Sequence, residues 1–383
     1  MGPYCAQILS DLGADVIKLE SPSGDTTRAL GPARAAAHGG MFINMNRGKR
    51  SIVIDLKQPA GRDVLMTLVR RSDVFLHSMR RSAIGRLGLD YATLAQINPR
   101  LVYLNLYGFG STGPYANRPA YDDVIQAMSG LAAAQTELAG GEPSYVASVI
   151  ADKVGGLTGA YALMAALYER ERSGQGQEIE VPMFEAMTAF MFVEHSTGGA
   201  FVPPIERPAY RRVLSPDRRP YRTADGYISV LIYNDGHWRR FAQLLGSPPW
   251  ADDPRLASLR MRDQNLDFVL RTVSEALLTD STANWLSRFE EAQIPAAPIL
   301  STSDLLDDAH LAAVGFWHET SDEDGALKLA GIPTRFMRTP AAIPGAASKL
   351  GADTRDVLAE AGIPEAQIDA LFAAGAAGVS ETA

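Results

Sequence analysis

One aspartate, Asp152, lies where an apolar run meets a glycine-rich segment, in the stretch SVIADKVGGLTGAY at residues 148–161. We expect the apolar residues to form a strand and a helix to begin at the aspartate. Two interpretations are open from these residues alone. Aspartate is a favoured helix N-cap, because its side chain accepts backbone N–H bonds at the positive end of the helix. A carboxylate at the mouth of a pocket can also act as the nucleophile of covalent catalysis.

A second group of carboxylates, Asp122 and Asp123, opens the stretch YDDVIQAMSGLAAA, for which we predict one continuous helix from Tyr121 to Ala134. Acidic residues are electrostatically favoured at the start of a helix, so the pair needs no catalytic role to explain it. A functional role requires that another group point into the same pocket.

The stretch GFGSTG has the G-x-G-x-x-G spacing of a nucleotide-binding loop, through Gly108, Gly110 and Gly113, and it follows a predicted strand. However, Pro114 and Pro119 come next in place of a helix, so no helix N-terminus is available to receive a pyrophosphate. We therefore predict a turn-rich loop, and a nucleotide-dependent oxidoreductase is the weakest functional alternative.

Composition excludes several further classes of protein. The six histidines show no metal-ligand spacing, and Cys5 is the only cysteine, so we expect no metal site and no intramolecular disulfide. The net charge of −8 argues against nucleic-acid binding. No uncharged apolar run reaches the about 18 residues needed to span a bilayer, and we see no signal peptide pattern. We expect a cytoplasmic protein without a nucleic-acid or membrane partner.

Helices and strands alternate in the first 110 residues. The strands are predicted at DVIKLE, RSIVIDL, DVFLHS and RLVYLNLYG, with a helix at PYCAQILSDLGA before the first strand and a helix at PAGRDVLMTLVRRS between the second and third. This alternation is typical of βαβ units and a largely parallel sheet. The chain enters on a helix without the strand that would normally precede it, and we hypothesise a mis-assigned start site, which the intact mass of the native protein would test.

The composition changes near residue 203, where prolines and arginines replace any regular period. We predict a large domain of residues 1–202 plus 321–383, a linker at 203–220, and a smaller domain at 221–320. The final helix is expected at TRDVLAEAG, followed by an Ala/Gly-rich tail that is frayed from Phe372 onward.

Several stretches, in one order and with similar spacing, resemble the class III (CaiB/BaiF-type) coenzyme A transferases: GPYCAQILSDLGADVIKLE, GDTTRALGP, NRGKRSIVIDLK, GRLGLDYATLAQINPRLVY, GFGSTGPYANRPAYDDVIQAMSGL, ALYERERSGQGQ and PYRTADGYISV. The resemblance implies an α/β fold, with a Rossmann-like large domain and an inserted smaller α+β domain. It also implies homodimers in which two ring-like chains interlock.

The resemblance assigns the nucleophile to Asp152 and gives Asp122 a supporting role. It implies that the Asp152 carboxylate attacks an acyl-CoA thioester to give a mixed anhydride, which CoA converts into an aspartyl-CoA thioester. A second carboxylic acid then takes the CoA. Acyl-CoA and a carboxylic acid are the substrates, and no tightly bound cofactor is implied.

The resemblance also implies a CoA site. Arg28 in GDTTR matches an arginine that stacks on adenine, and Lys49 and Arg86 match positions near the phosphates. Met79 and Arg80 lie in SMRRS, where the family has NFRPG, so this chain lacks the Asn and Gly that make contacts from that segment.

Tyr121, also assigned to the CoA site, separates two branches of the family. The racemase branch has a histidine at this position, as one base of a two-base proton shuttle, and a tyrosine cannot replace an imidazole near neutral pH. We therefore favour CoA transfer, with an acyl-CoA racemase or isomerase and a CoA-binding protein without turnover as alternatives. The donor and acceptor acids stay open, because the family's glycine-rich substrate loop is not visible beyond Gly198 and Gly199.

Overall fold

The computed structural model describes residues 1–35 and 38–379, and these form two compact units. The first unit contains Met1–Ser129, Ala147–Phe190 and the chain from Ala309 onward. The second contains Gly130–Val146 and Met191–Asp308. The limits that the sequence predicts, with a linker at 203–220 and a small domain at 221–320, stay a prediction.

Helices outnumber strands along the chain, and most strands are short. The elements up to residue 128 are α1 (Gly2–Asp11), β1 (Ile17–Glu20), α2 (Gly40–Asn46), β2 (Arg50–Ile54), α3 (Pro59–Val69), β3 (Val74–His77), α4 (Arg81–Arg86), α5 (Tyr91–Ile97), β4 (Val102–Tyr107) and α6 (Asp122–Met128). The next are α7 (Leu131–Ala139), α8 (Ile150–Ser173), β5 (Glu178–Pro182), α9 (Met183–His195), α10 (Arg211–Leu214), β6 (Tyr221–Arg222), β7 (Tyr227–Val230), α11 (Asp235–Leu244), α12 (Leu259–Gln264), α13 (Leu266–Leu277), α14 (Thr282–Glu291) and β8 (Ala296–Pro298). The last are α15 (Ala309–Ala313), β9 (Trp317–Asp322), β10 (Gly325–Ala330), α16 (Thr354–Glu360), α17 (Glu365–Ala373) and β11 (Ala377–Gly378).

Parallel strands form the centre of the first unit, which confirms the mixed α/β prediction. Strand β1 pairs with β2 in parallel, and β4 pairs in parallel with both β3 and β5. All six residues of β4 are buried, because helices cover both faces of a parallel sheet. The carboxyl ends of β3, β4 and β5 therefore lie on one edge, where open α/β sheets bind ligands.

The end of the chain completes the sheet that contains β2. Strand β11 pairs antiparallel with β2, and Ser51 in β2 accepts a bond from Gly351 N–H at 3.0 Å. The backbone N–H of Ser51 donates to Asp353 at 2.7 Å, and Ile52 and Ile54 pack against the apolar residues of α16 and α17. The first and last parts of the chain thus share one core.

The second unit has a core of its own around an antiparallel sheet. Strand β7 pairs with β6 and β8, and aromatic residues of α11 and α14 pack beside it. The rings of Trp285 and Phe289 stack with their centroids 5.3 Å apart, and the Trp285 indole donates to Leu277 O at 2.9 Å. A short helix, α10, lies within the segment that the sequence predicts to be a linker.

Two local predictions are wrong. The segment Tyr121–Ala134 forms two helices and not one, because Gly130 adopts a left-handed conformation with φ of 87° that ends α6 and precedes α7. The tail is also ordered beyond Phe372, since α17 continues to Ala373 and residues 377–378 pair with β2. The predicted fraying of residues 380–383 lies outside the described residues.

Candidate active site

Asp152 lies in the first turn of α8, with its side chain 39% exposed. The helix begins at Ile150 after an N-cap at Val149, so the N-cap interpretation of Asp152 is wrong, and no strand precedes the helix. The Oδ1 atom accepts a bond from the α-amino group of Met1 at 2.8 Å. The carboxylate is therefore held at the start of a helix while part of it stays open to solvent.

The structure brings Asp122 to Asp152. Asp122 Oδ1 accepts the backbone N–H of Asp152 at 3.0 Å, and its Oδ2 accepts Gln126 Nε2 at 2.6 Å. Asp122 is only 6% exposed, and backbone N–H groups of a first helical turn lack partners within their own helix. The buried carboxylate thus satisfies one of these groups and ties the start of α8 to α6. The neighbouring Asp123 is exposed.

Three glycines after Asp152 bring α1 against α8. A methyl group on Gly156 would lie 3.0 Å from Tyr4 Cδ1 and 3.1 Å from Met1 O, and one on Gly159 would lie 3.3 Å from Cys5 Sγ. A methyl group on Gly155 would overlap the side chain of Met1. The small residues therefore accommodate a neighbouring backbone, and they place the start of α1 beside the nucleophile candidate.

The opposite side of α8 is apolar and exposed. Its large side chains are Leu157, Tyr161, Met164 and Tyr168, whose exposed fractions range from 49% to 68%. Their spacing places them along one face of the helix. A contiguous exposed apolar face of this kind indicates an interaction surface.

Lys49 is buried, and its ammonium group is fully occupied. Its Nζ donates to Pro3 O at 2.7 Å, Met45 O at 2.8 Å and Asn46 Oδ1 at 2.9 Å. Burial lowers the pKa of Lys49 to about 7. An ammonium group has three N–H donors, and here one of them bonds to α1 and the other two to the end of α2. The phosphate contact expected of Lys49 stays a prediction, but this geometry does not support it.

Arg28 is also buried, in an ion pair with Glu20. Its Nε and Nη2 donate to the two carboxylate oxygens at 2.8 and 2.6 Å, and the Phe42 ring lies 3.8 Å from Cζ. Burial alone would raise the pKa of Glu20, but hydrogen bonds from Arg28 and Ser51 hold it below its usual value. Among the three guanidinium nitrogens of Arg28, only Nη1 lacks a hydrogen-bond partner within the described residues. Phe42 already covers one face of the guanidinium, so that face is not open to an adenine ring. The adenine-stacking role of Arg28 stays a prediction.

The other predicted CoA residues are open to solvent. Met79, Arg80 and Arg86 are exposed on the turn and short helix that follow β3, and Tyr121 is 81% exposed. A methyl group on Gly2 would lie 3.7 Å from Ser78 Oγ, which places the start of α1 next to this turn. The start of α1 thus contacts Asp152 and lies near the SMRRS segment, at the carboxyl end of the parallel strands.

The GFGSTG loop binds carboxylates of its own chain. Gly110 N–H donates to Glu185 Oε1 at 3.0 Å, and Ser111 N–H donates to Glu180 Oε1 at 2.6 Å. A phosphate would meet two carboxylates here, and the N–H groups that could bind it are taken. The structure therefore agrees with a turn-rich loop.

Within residues 1–35 and 38–379, no three His, Cys, Asp or Glu side chains converge in a way that could hold a metal ion. No helix in the same part of the chain has the length and apolarity that a membrane crossing requires.

Sequence reasoning missed two residues of this site, Gln126 and His77. Gln126 follows Asp122 by four positions, a helical spacing at which side chains meet, and this signal was available. His77 ends β3 and is hydrogen-bonded through both ring nitrogens, but a lone histidine after a strand gives no such signal.

Three comparisons show what the chain is similar to. A family model described as "CoA-transferase family III" matches residues 1–354. The chain is 34% identical to the succinate–glutarate CoA-transferase of Agrobacterium fabrum, over 94% of this chain and 92% of that protein. It is also 34% identical to the acetyl-CoA:oxalate CoA-transferase of Acetobacter aceti, over 88% of this chain and 85% of that protein. The crystal structure of a CaiB/BaiF family protein from Brucella suis superimposes with a TM-score of 0.78 and 31% identity, covering 94% of this chain and 95% of that one.

Proposed function

The chain belongs to CoA-transferase family III and is a CoA-transferase, and from this we propose that Asp152 is the residue that carries CoA between two acids. One observation supports the proposal above all others. The half-buried carboxylate of Asp152 lies at the start of α8, where Asp122 fixes its backbone and small residues bring α1 alongside.

The reaction needs no external proton donor. A carboxylate oxygen of Asp152 attacks the thioester carbonyl carbon, and the C–S bond breaks. CoA departs as the thiolate, and the acyl group and Asp152 form a mixed anhydride. The thiolate attacks the aspartyl carbonyl and releases the first acid as carboxylate, which gives aspartyl-CoA. The second carboxylate attacks the aspartyl carbonyl of this thioester, which expels CoA thiolate and gives a second mixed anhydride. The thiolate then attacks the new acyl carbonyl, which forms the product acyl-CoA and releases the Asp152 carboxylate. Every nucleophile in these reaction steps is an anion, so the reaction does not require a second acid/base residue.

The remaining residues divide into those that hold the nucleophile and those that hold CoA. Asp122 positions Asp152 through its backbone, since its oxygens contact the Asp152 N–H and Gln126 and not the Asp152 carboxylate. Arg80 and Arg86 are exposed cations at the two ends of α4, and they suit the phosphates of CoA. The adenine contact of Arg28 requires a ligand that approaches Nη1.

We further propose that the acceptor is a small dicarboxylic acid. Both relatives described above are named for dicarboxylic acids, and each covers most of this chain. Initial rates with succinate, glutarate and oxalate should exceed those with butyrate and valerate. Equal rates for the monocarboxylic and dicarboxylic acids would contradict this choice of acceptor and leave the role of Asp152 intact.

We also propose a homodimer, supported by the exposed apolar face of α8. Burying such a face against a second copy removes apolar surface from water, which is the main favourable term in association. The cytoplasmic location expected from the sequence stays a prediction.

The decisive experiment traps the enzyme-bound intermediate. We would incubate the protein with acyl-CoA esters, treat it with hydroxylamine or borohydride, and map the peptides by mass spectrometry. An aspartyl thioester gives a hydroxamate or an alcohol on the peptide that contains Asp152. Asp152→Ala should bind acyl-CoA, give no adduct and lose transfer, whereas Asp123→Ala should behave like the parent. Transfer that persists in Asp152→Ala would exclude this mechanism, and α-proton exchange in deuterium oxide without transfer would favour the racemase alternative.

A further inference from the structure

His77 is a buried histidine at the end of β3 whose two ring nitrogens are both hydrogen-bonded. The backbone N–H of Met79 donates to Nδ1 at 3.1 Å, and Nε2 lies 2.9 Å from the Tyr103 hydroxyl. That hydroxyl in turn donates to Leu89 O at 2.6 Å. The ring therefore links β3, β4 and the turn that follows β3.

The hydrogen-bond directions assign one form of the ring. A backbone N–H can only donate, so Nδ1 is unprotonated and accepts from Met79. The proton of neutral His77 then lies on Nε2 and is donated to Tyr103, whose own proton goes to Leu89 O. Burial lowers the pKa of His77 to about 4, so the neutral ring is the form present near pH 7.

The turn that His77 holds is electrostatically unfavourable by itself. Arg80 is the N-cap of α4 and Arg81 is its first residue, and the positive end of a helix disfavours cations. Both side chains are exposed, and neither forms an ion pair with any residue in the described part of the chain. Guanidinium groups match the geometry of phosphate oxygens, so this exposed pair of cations is available to bind an anion.

We propose that His77 is a positioning residue for CoA binding, in which its Nδ1 fixes the Met79–Arg81 turn and so aims the arginines at the phosphates of acyl-CoA. This rests on the proposed function, which places CoA at this turn. The Nδ1 bond has the geometry of an Asx turn, in which a side chain accepts the N–H two residues further along. Ser78 and Ser82 flank the arginine pair, and His77 supplies the contact that orders it.

The test separates binding from turnover. Without the acceptor for Met79 N–H the turn loses one hydrogen bond, so His77→Ala should raise the KM for acyl-CoA about three- to tenfold. The kcat and the KM for the acceptor acid should stay within about twofold of the parent values, since Asp152 is untouched. A KM for acyl-CoA that is unchanged, or an equal rise in both KM values, would overturn the proposal.

Two further variants distinguish positioning from general stability. His77→Asn keeps an oxygen in the place of Nδ1 and loses the contact with Tyr103, so it should restore the KM even if Tm stays low. Tyr103→Phe disturbs the same buried contacts but leaves the Met79 bond, so it should lower Tm without changing the KM. If the KM for acyl-CoA follows Tm across all three variants, His77 has only a structural role.

The arginines test the premise independently. Arg80→Ala and Arg81→Ala should each raise the KM for acyl-CoA while Tm stays near the parent value. If they do not, CoA lies elsewhere and the proposed site fails. If they do and His77→Ala does not, only the role of His77 fails.

Discussion

At the scale of single residues, the site depends on the hydrogen bonds that the buried carboxylate of Asp122 accepts. A buried carboxylate is costly unless hydrogen bonds satisfy it, and Asp122 accepts two, from Asp152 N–H and Gln126. Both donors lie on elements that must stay in register for the nucleophile to be placed. The residue therefore links stability and activity at one point.

Removing the Asp122 acceptor should affect both properties. Asp122→Ala leaves the Asp152 N–H unpaired, so we expect about 1–3 kcal/mol lower free energy of unfolding and at least about tenfold lower kcat. Asp122→Asn keeps an oxygen that can accept the Asp152 N–H, so both the free energy of unfolding and kcat should fall less than in Asp122→Ala. Urea unfolding and steady-state kinetics measure these changes. The exposed Asp123→Ala serves as control, and equal effects at the two positions would contradict the positioning role.

Lys49 should make stability depend on pH. Its pKa is about 7 in the folded chain and near 10.5 when unperturbed, so the unfolded chain binds more protons between these values. The stability contributed by this group therefore rises as the pH rises from about 7 to 10. The difference in unfolding free energy between the parent and Lys49→Met should grow in favour of the parent across that range. The exposed Lys57→Met serves as the control variant, and a difference that shrinks or stays constant for Lys49→Met would refute the shifted pKa.

At the scale of elements, parallel strands could be predicted where a short apolar run is bounded by turn residues, as in VYLNLY of β4. The break between α6 and α7 at Gly130 could not be predicted, because glycine within a helical pattern is compatible with either a helix or a left-handed turn. The positions of Asp122 and Asp152 in the chain indicated chemistry. Their contact through a backbone N–H depends on how α6 packs against α8, which no local pattern encodes.

The glycines of α8 set helix propensity against packing. Propensity predicts that alanine in place of a helical glycine stabilises by about 1 kcal/mol. At Gly156, however, even a methyl group meets Tyr4 and Met1 O, so we expect Gly156→Val to destabilise by about 1–3 kcal/mol and to lower activity. Gly85 in α4 has open space around it, and Gly85→Ala should be neutral or stabilising. Thermal unfolding measures the stability of each variant against the parent. A Gly156→Val variant more stable than the parent would show that α1 can move away from α8.

At the scale of the whole molecule, the exposed face of α8 predicts the oligomeric state. A charge placed on that face would have to be buried in the proposed interface, so Tyr161→Glu should convert the proposed dimer into a monomer. Light scattering coupled to size-exclusion chromatography measures the mass. Tyr227→Glu, at an exposed tyrosine of the second unit, should leave the dimer intact. A parent chain that is monomeric at micromolar concentration would reject the dimer.

The closure of the first unit by the end of the chain has a consequence for biosynthesis. Ser51 in β2 bonds to Gly351, which follows it by 300 residues, and β11 is made later still. At about 5–20 residues per second, a ribosome needs roughly 15–60 s to make that stretch. During this interval one side of β2 is an unpaired strand edge, which other chains can join. The nascent protein should therefore depend on chaperones until β11 emerges, and a truncation that removes β11 should cause aggregation although the candidate catalytic residues are still present.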